Sequence, residues 1–122
     1  MASSAFLFEP SAQDYARVVP IGPELTRRDE LFEALAQGLE FPDHFGDNWD
    51  ALTDCLNDLS WFEGDVLIQH VDVPLRRSKD QRVYLEILAE AQERWNETGE
   101  RRFRVSFPER DQAEIVELFE AD

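Results

Sequence analysis

Apolar positions along this chain follow two rhythms, steps of three and four residues in some segments and short β-rich runs in others. Arg17-Val18-Val19-Pro20-Ile21, bounded by Gly22 and Pro23, predicts a short strand. Pro20 lacks a backbone donor, so that strand belongs at a sheet edge or ends early. Leu31, Phe32, Leu35 and Leu39 lie at helical spacing, with Thr26 placed to cap the helix and Asp29 and Glu30 in its first turn, where carboxylates favour the helix dipole. Phe41 to Gly46 carries Pro42 and Gly46 as breakers and reads as a loop. Asp47 or Asn48 caps a second helix that runs to about Leu59.

Val66-Leu67-Ile68 is a short apolar run and predicts a buried strand. A long helix follows from about Asp80 to Glu97, with Val83, Ile87, Leu88, Ala91 and Trp95 on its buried side, Glu86, Glu90, Glu93 and Glu97 on the other, and Gly99 as its stop. Phe103, Val105 and Phe107 alternate with Arg102, Arg104 and Ser106, the period of a half-exposed strand. Asp111 to Ala121 predicts a terminal helix using Ile115, Val116, Leu118 and Phe119. Strands separated by helices favour parallel pairing, so the expected fold class is α/β, a small three-stranded parallel sheet packed with helices plus a C-terminal helical extension. The 122 residues read as one domain, with its core at about 15–107, an arm at 1–12 and an extension at 108–122.

Charge sharpens this picture. Twelve Lys and Arg face 27 Asp and Glu, a formal net charge of −15. Such a chain repels nucleic acid and anionic lipid, and its natural macromolecular partner is basic. The negative charge is also unevenly placed: from Asp29 to Leu75 there is no Lys or Arg, against twelve Asp and Glu. That stretch predicts one electronegative surface. The single cysteine, Cys55, excludes an internal disulfide framework. Neither a secretory signal nor an apolar run of the ~20 residues needed to span a membrane is visible, and a cytoplasmic location is expected.

The second helix concentrates the acids. At about 100° per residue, Leu52, Cys55, Leu56 and Leu59 form a core-facing stripe, with Cys55 as an inert buried thiol. Asp50, Asp54 and Asp58 stack on the solvent side beside Asp47, with Thr53 and Asn57 flanking them. Like charges at i, i+4 destabilise an isolated helix by a few tenths of a kcal/mol per pair. Here the pairing occurs twice with no cation nearby. A partner that supplies cations explains it; the plainer reading is that Asp47 and Asp50 complement the helix N-terminus and the others are merely solvated.

Phe41-Pro42-Asp43-His44-Phe45-Gly46-Asp47-Asn48-Trp49-Asp50-Ala51-Leu52-Thr53-Asp54-Cys55-Leu56 closely resembles the signature of the barstar family, intracellular inhibitors of barnase-type ribonucleases. The order of the surrounding elements extends the likeness from about Arg17 to Phe107. The resemblance implies a barstar-like domain that is no enzyme, needs no cofactor or metal, and binds a basic ribonuclease one-to-one, being a monomer when free. It implies that Asp54 enters the nuclease active site in place of an RNA phosphate and that Asp50 binds one turn earlier. Asn48, Trp49 and Thr53 match contact positions around them. His44 matches an aromatic near the substrate groove, Gly46 a glycine of the same loop, Asn57 and Asp58 the helix end, and Glu90 a peripheral acidic contact. His44 stands where the family has Tyr and Thr53 where it has Trp, which implies a different cognate enzyme.

Other chemistries fit less well. Asp47, Asp50 and Asp54 do not have the spacing of a calcium loop, and His44 and His70 are far apart with no paired Cys. No nucleophile elbow or phosphate-binding glycine loop occurs. His70, Trp61 and Phe62 are expected to be structural, while Trp49 sits at the border of the core stripe and reads either way. The alternative function is an acidic binding module or nucleic-acid mimic that regulates another basic protein.

Overall fold

A computed structural model describes residues 6–8, 15–23, 25, 27–42, 45–75 and 78–119; of Phe119 only the backbone is described. Among the described residues the elements run β1 (Leu7–Phe8), β2 (Arg17–Ile21), α1 (Arg28–Leu39), α2 (Trp49–Asp58), β3 (Val66–His70), α3 (Asp80–Thr98), β4 (Phe103–Phe107) and α4 (Gln112–Phe119), the last entered through a 3-10 turn at Glu109–Asp111. The class is α/β, as expected from the alternation of strands and helices. The four strands form one parallel sheet in the order β1-β4-β3-β2.

The register explains which side chains meet. Val19 pairs with Ile68 and Ile68 with Val105, while Arg17, Val66 and Phe103 form the next row and Ile21 pairs with His70. Residues two apart on a strand share a face, so Val19, Ile21, Val66, Ile68, Phe103, Val105 and Phe107 converge on one core with the helices. Gln69 and Pro20 also pair, at the far edge, and Pro20 is exposed there. That edge placement agrees with the reading of Pro20 as a residue without a donor to share.

Helix α1 lies close on β2. A Cβ at Gly38 would run into the side chain of buried Val19, so glycine is what permits that approach. Arg27 is the cap residue of α1, and the Glu30 carboxylate accepts its backbone N–H at 3.4 Å. Thr26, the expected cap, lies outside the described residues. Gly99 ends α3 in a left-handed conformation, as its position predicted.

The arm at 1–12, to which the sequence assigns no element, adds a fourth strand: Phe6 is buried, and Leu7 and Phe8 pair with Ser106 and Phe107. The rest of residues 1–12 lies outside the described residues. Strand β4 is not half-exposed, since Ser106 is buried along with Phe103, Val105 and Phe107, and Leu67 is buried on the same opposite face of the sheet as Ser106. Burial of Leu67 and Ser106 on that face removes, at those two positions, the polar alternation expected of a solvated strand. On α3, Val83 is 37% exposed, whereas Tyr84, Leu85, Gln81 and Gln92 are buried.

Candidate functional site

Helix α2 buries one face and leaves the other in water. Leu52 and Leu56, with Leu59 just beyond the last turn, are fully buried, and Cys55 is half-buried beside them. Burial first, and then the charges of Asp54 and Asp58, push the Cys55 thiol up from its ordinary value, so it stays protonated and unreactive at neutral pH. Asp50, Asp54 and Asp58 are exposed at successive four-residue steps, with Asp47 exposed ahead of the helix. A four-residue step is about 6 Å along the axis, so the carboxylates form a ladder on the solvent side.

Arginines of this chain neutralise acids elsewhere: Arg17 pairs with Glu40, Arg27 with Asp29, Arg82 with Glu86, Arg102 with Asp65 and Arg110 with Asp72. Among the described residues none pairs with Asp47, Asp50, Asp54 or Asp58. Asp50 and Asp54, at the centre of the candidate site, therefore face solvent without a counter-charge from the described residues.

The start of α2 is fixed by Asn48 and Trp49. Asn48 Oδ1 accepts the Ala51 N–H at 2.8 Å, and its Nδ2 donates to the Gly46 carbonyl at 3.1 Å. The amide thus caps the helix and ties the loop to it. A Cβ at Gly46 would sit 3.2 Å from that Asn48 nitrogen, so the glycine leaves room for the tie. Trp49 packs edge-on against Phe32, ring centroids 4.9 Å apart, and against Tyr84 at 6.3 Å. It is half-buried, its indole N–H is buried without a partner, and it anchors α2 to α1 and α3. Thr53 donates its hydroxyl back to the Trp49 carbonyl at 3.0 Å.

The far end of α2 is held by the rest of the molecule. Trp95 of α3 donates its indole N–H to the Leu56 carbonyl at 2.8 Å. Leu59 caps the helix in a left-handed conformation, its N–H on the Cys55 carbonyl. Arg101, in the turn between α3 and β4, donates to the carbonyls of Leu59 at 3.0 Å, Phe62 at 2.8 Å and Gly64 at 3.3 Å. Trp61 and Phe62 are packed against the core, Trp61 through a bond from its indole N–H to the Leu39 carbonyl at 2.9 Å. No local pattern in the sequence marks Arg101 or the indole of Trp95 as supports of this helix, because each acts on carbonyls about 40 residues away.

The structure brings Asp50, Asp54, Asp58, Asn48, Trp49, Thr53, Asn57 and Gly46 together on α2 and the loop before it. Glu90 stands apart. It is exposed on α3 in an open groove shared with Glu86, Glu93, Arg102 and Arg104, a wall that includes none of the α2 aspartates. His44 lies outside the described residues. Among the described residues, no group of three or more His, Cys, Asp or Glu is arranged to hold a metal ion. Among the described residues, no helix is long and apolar enough to cross a membrane.

His70 is structural, as read from its place at the strand end. Its Nδ1 lies 2.9 Å from the Ser106 carbonyl and its Nε2 2.7 Å from the Tyr84 hydroxyl, both buried, and its ring stacks on Phe107 at 4.2 Å.

Residues 16–108 fit the family model described as Barstar (barnase inhibitor), a span that takes in every element from β2 to β4. No curated protein matches the chain.

Proposed function

The chain belongs to the barstar family, and from that premise we propose that it inhibits a basic ribonuclease of the barnase type, with Asp54 and Asp50 standing in for RNA phosphates. The observation that carries this reading is the pair itself: two exposed carboxylates one turn apart, without an internal counter-ion among the described residues, on a helix held at both ends.

A ribonuclease must gather Arg and Lys around its phosphate site. A carboxylate can occupy that site and offers no scissile bond. Because no arginine among the described residues pairs with Asp50 or Asp54, none of those arginines has to be displaced before they meet the enzyme's cations. Because α2 is already fixed by Asn48 and Trp95, little conformational freedom is lost on docking. Charge complementarity of this kind speeds encounter and weakens with salt, as it does in the family's barnase–barstar pair.

Asp54 occupies the middle of the ladder and is assigned the central role. Asp50 and Asp58 extend the charge on either side. Asn48 and Gly46 shape the loop, and Thr53 and Asn57, both half-buried, border the aspartates. Thr53 presents a small side chain where the family carries Trp, so the cognate enzyme is expected to fill that space with a larger group of its own. The complex is one-to-one, and the place of action is the cytoplasm, where the inhibitor would protect cellular RNA.

The test is a titration of the chain against barnase and a panel of other basic ribonucleases, following RNA turnover. Inhibition that ends at one equivalent is expected for at least one barnase-type enzyme. Failure with all of them, together with tight binding to an unrelated basic protein, would place the chain among general acidic binding modules.

A further inference from the structure

The end of α2 where Asp54 and Asp58 lie is where a helix of this composition should be weakest. The helix dipole places partial negative charge at the C-terminus, which favours cations there. The last turn of α2 holds no basic residue and closes on Asp58. Two like-charge pairs at i, i+4 add to the strain. The final carbonyls must nevertheless be satisfied, and the end must hold its direction if the aspartates are to be presented in one geometry.

Arg101 meets these demands from outside the helix. Its Nη2 donates to both Leu59 and Phe62 and its Nη1 to Gly64, so one guanidinium closes the cap residue and the segment that leads away from it. Its cation centre lies 4.8 Å from the Trp95 ring and 5.8 Å from the Phe62 ring, and Arg17 covers Phe62 at 5.1 Å. Trp95, which holds the Leu56 carbonyl, is thus stacked on the same guanidinium that holds Leu59. The planar guanidinium holds its donors in a fixed fork, so the three carbonyls are met in one geometry that a flexible lysine stem does not pre-set. Resting on the inhibitor reading of α2, we infer that Arg101 is a positioning residue for the acidic helix: it fixes the C-terminal end of α2, and hence the aim of Asp54, without touching the partner.

This role makes a prediction opposite in sign to that of charge alone. Removing a cation makes the chain more negative, which by long-range attraction would speed association with a basic enzyme. Loss of a positioning group instead shortens the life of the complex. The experiment compares wild type, Arg101→Met and Arg101→Lys by amide hydrogen exchange across residues 56–59 and by association and dissociation rates with barnase. Arg101→Met is expected to exchange at least tenfold faster in this turn and to dissociate at least tenfold faster, with association unchanged or quicker. Arg101→Lys is expected to fall between, and it carries the test if the methionine variant fails to fold. Exchange that matches wild type in the folded variants overturns the assignment whatever the binding shows, as does an affinity loss that lies wholly in slower association. A wild-type chain that binds neither barnase nor any other barnase-type ribonuclease counts against the inhibitor reading, while the exchange data still decide the role of Arg101.

Discussion

The Tyr84 hydroxyl donates to Nε2 of His70 across 2.7 Å in the fully buried space between α3 and the sheet. The other ring nitrogen faces the Ser106 carbonyl at 2.9 Å, an acceptor only, so Nδ1 carries the proton, and burial keeps the imidazole neutral so that Nε2 accepts. Tyr84 also flanks Trp49, the first residue of α2, which links this buried pair to the root of the acidic helix.

Acid should therefore act on the fold through His70. Burial lowers its pKa from 6.5 to about 4, opposed by the Ser106 carbonyl. Below pH 6.5 the unfolded chain gains a proton that the folded chain refuses until about pH 4. The stability contribution is thus complete above pH 6.5 and is lost as pH falls towards 4, on the order of 3 kcal/mol in all. Urea unfolding at pH 7.5 and pH 4.5 should show a smaller loss in His70→Gln than in wild type. Equal losses would assign acid sensitivity to other groups.

Asp54→Ala should weaken inhibition far more than Glu90→Ala. A central charge that is desolvated on docking dominates an interface, with losses above about 2 kcal/mol, whereas a charge at the rim contributes less than about 1 kcal/mol. Calorimetric titration with an inhibited ribonuclease separates the two, and equal effects would remove Asp54 from the centre.

Asp58→Asn should stabilise the free protein while slowing its association with a basic enzyme. The substitution relieves repulsion from Asp54 and an unfavourable charge at the end of α2, for a gain of about 0.5 kcal/mol at low salt. Denaturant unfolding reads the gain and stopped-flow mixing reads the slower encounter. A variant that is both less stable and faster to associate would contradict this view of the helix.

How much of this was legible without coordinates varies by the kind of signal. The stripe of Leu52, Leu56 and Leu59 and the solvent ladder of Asp50, Asp54 and Asp58 follow from helical spacing alone, and the structure places them as counted. The sequence offers Asp47 or Asn48 as the cap of that helix, and the structure selects Asn48. The buried side of α3 was harder. Gln92 accepts the backbone N–H of Val105 at 2.7 Å, and Gln81 donates to the Pro74 carbonyl at 3.1 Å. Hydropathy assigns such residues to the surface, because nothing in it registers a polar group drawn inward to satisfy the backbone. Strand β1 was invisible for another reason: two residues have no period, and Leu7-Phe8 is a strand only because β4 offers it a partner.

That small strand has a practical side. The family span begins at residue 16, yet Phe6 packs edge-on to Phe107 at 5.2 Å from ahead of it. Anyone cutting an expression fragment to the family boundaries would strip the lining from one margin of the sheet and lay the end of β4 bare. An uncovered margin of that sort invites a second molecule to dock along it, so the leading residues are better kept, with any purification tag fused at the opposite terminus.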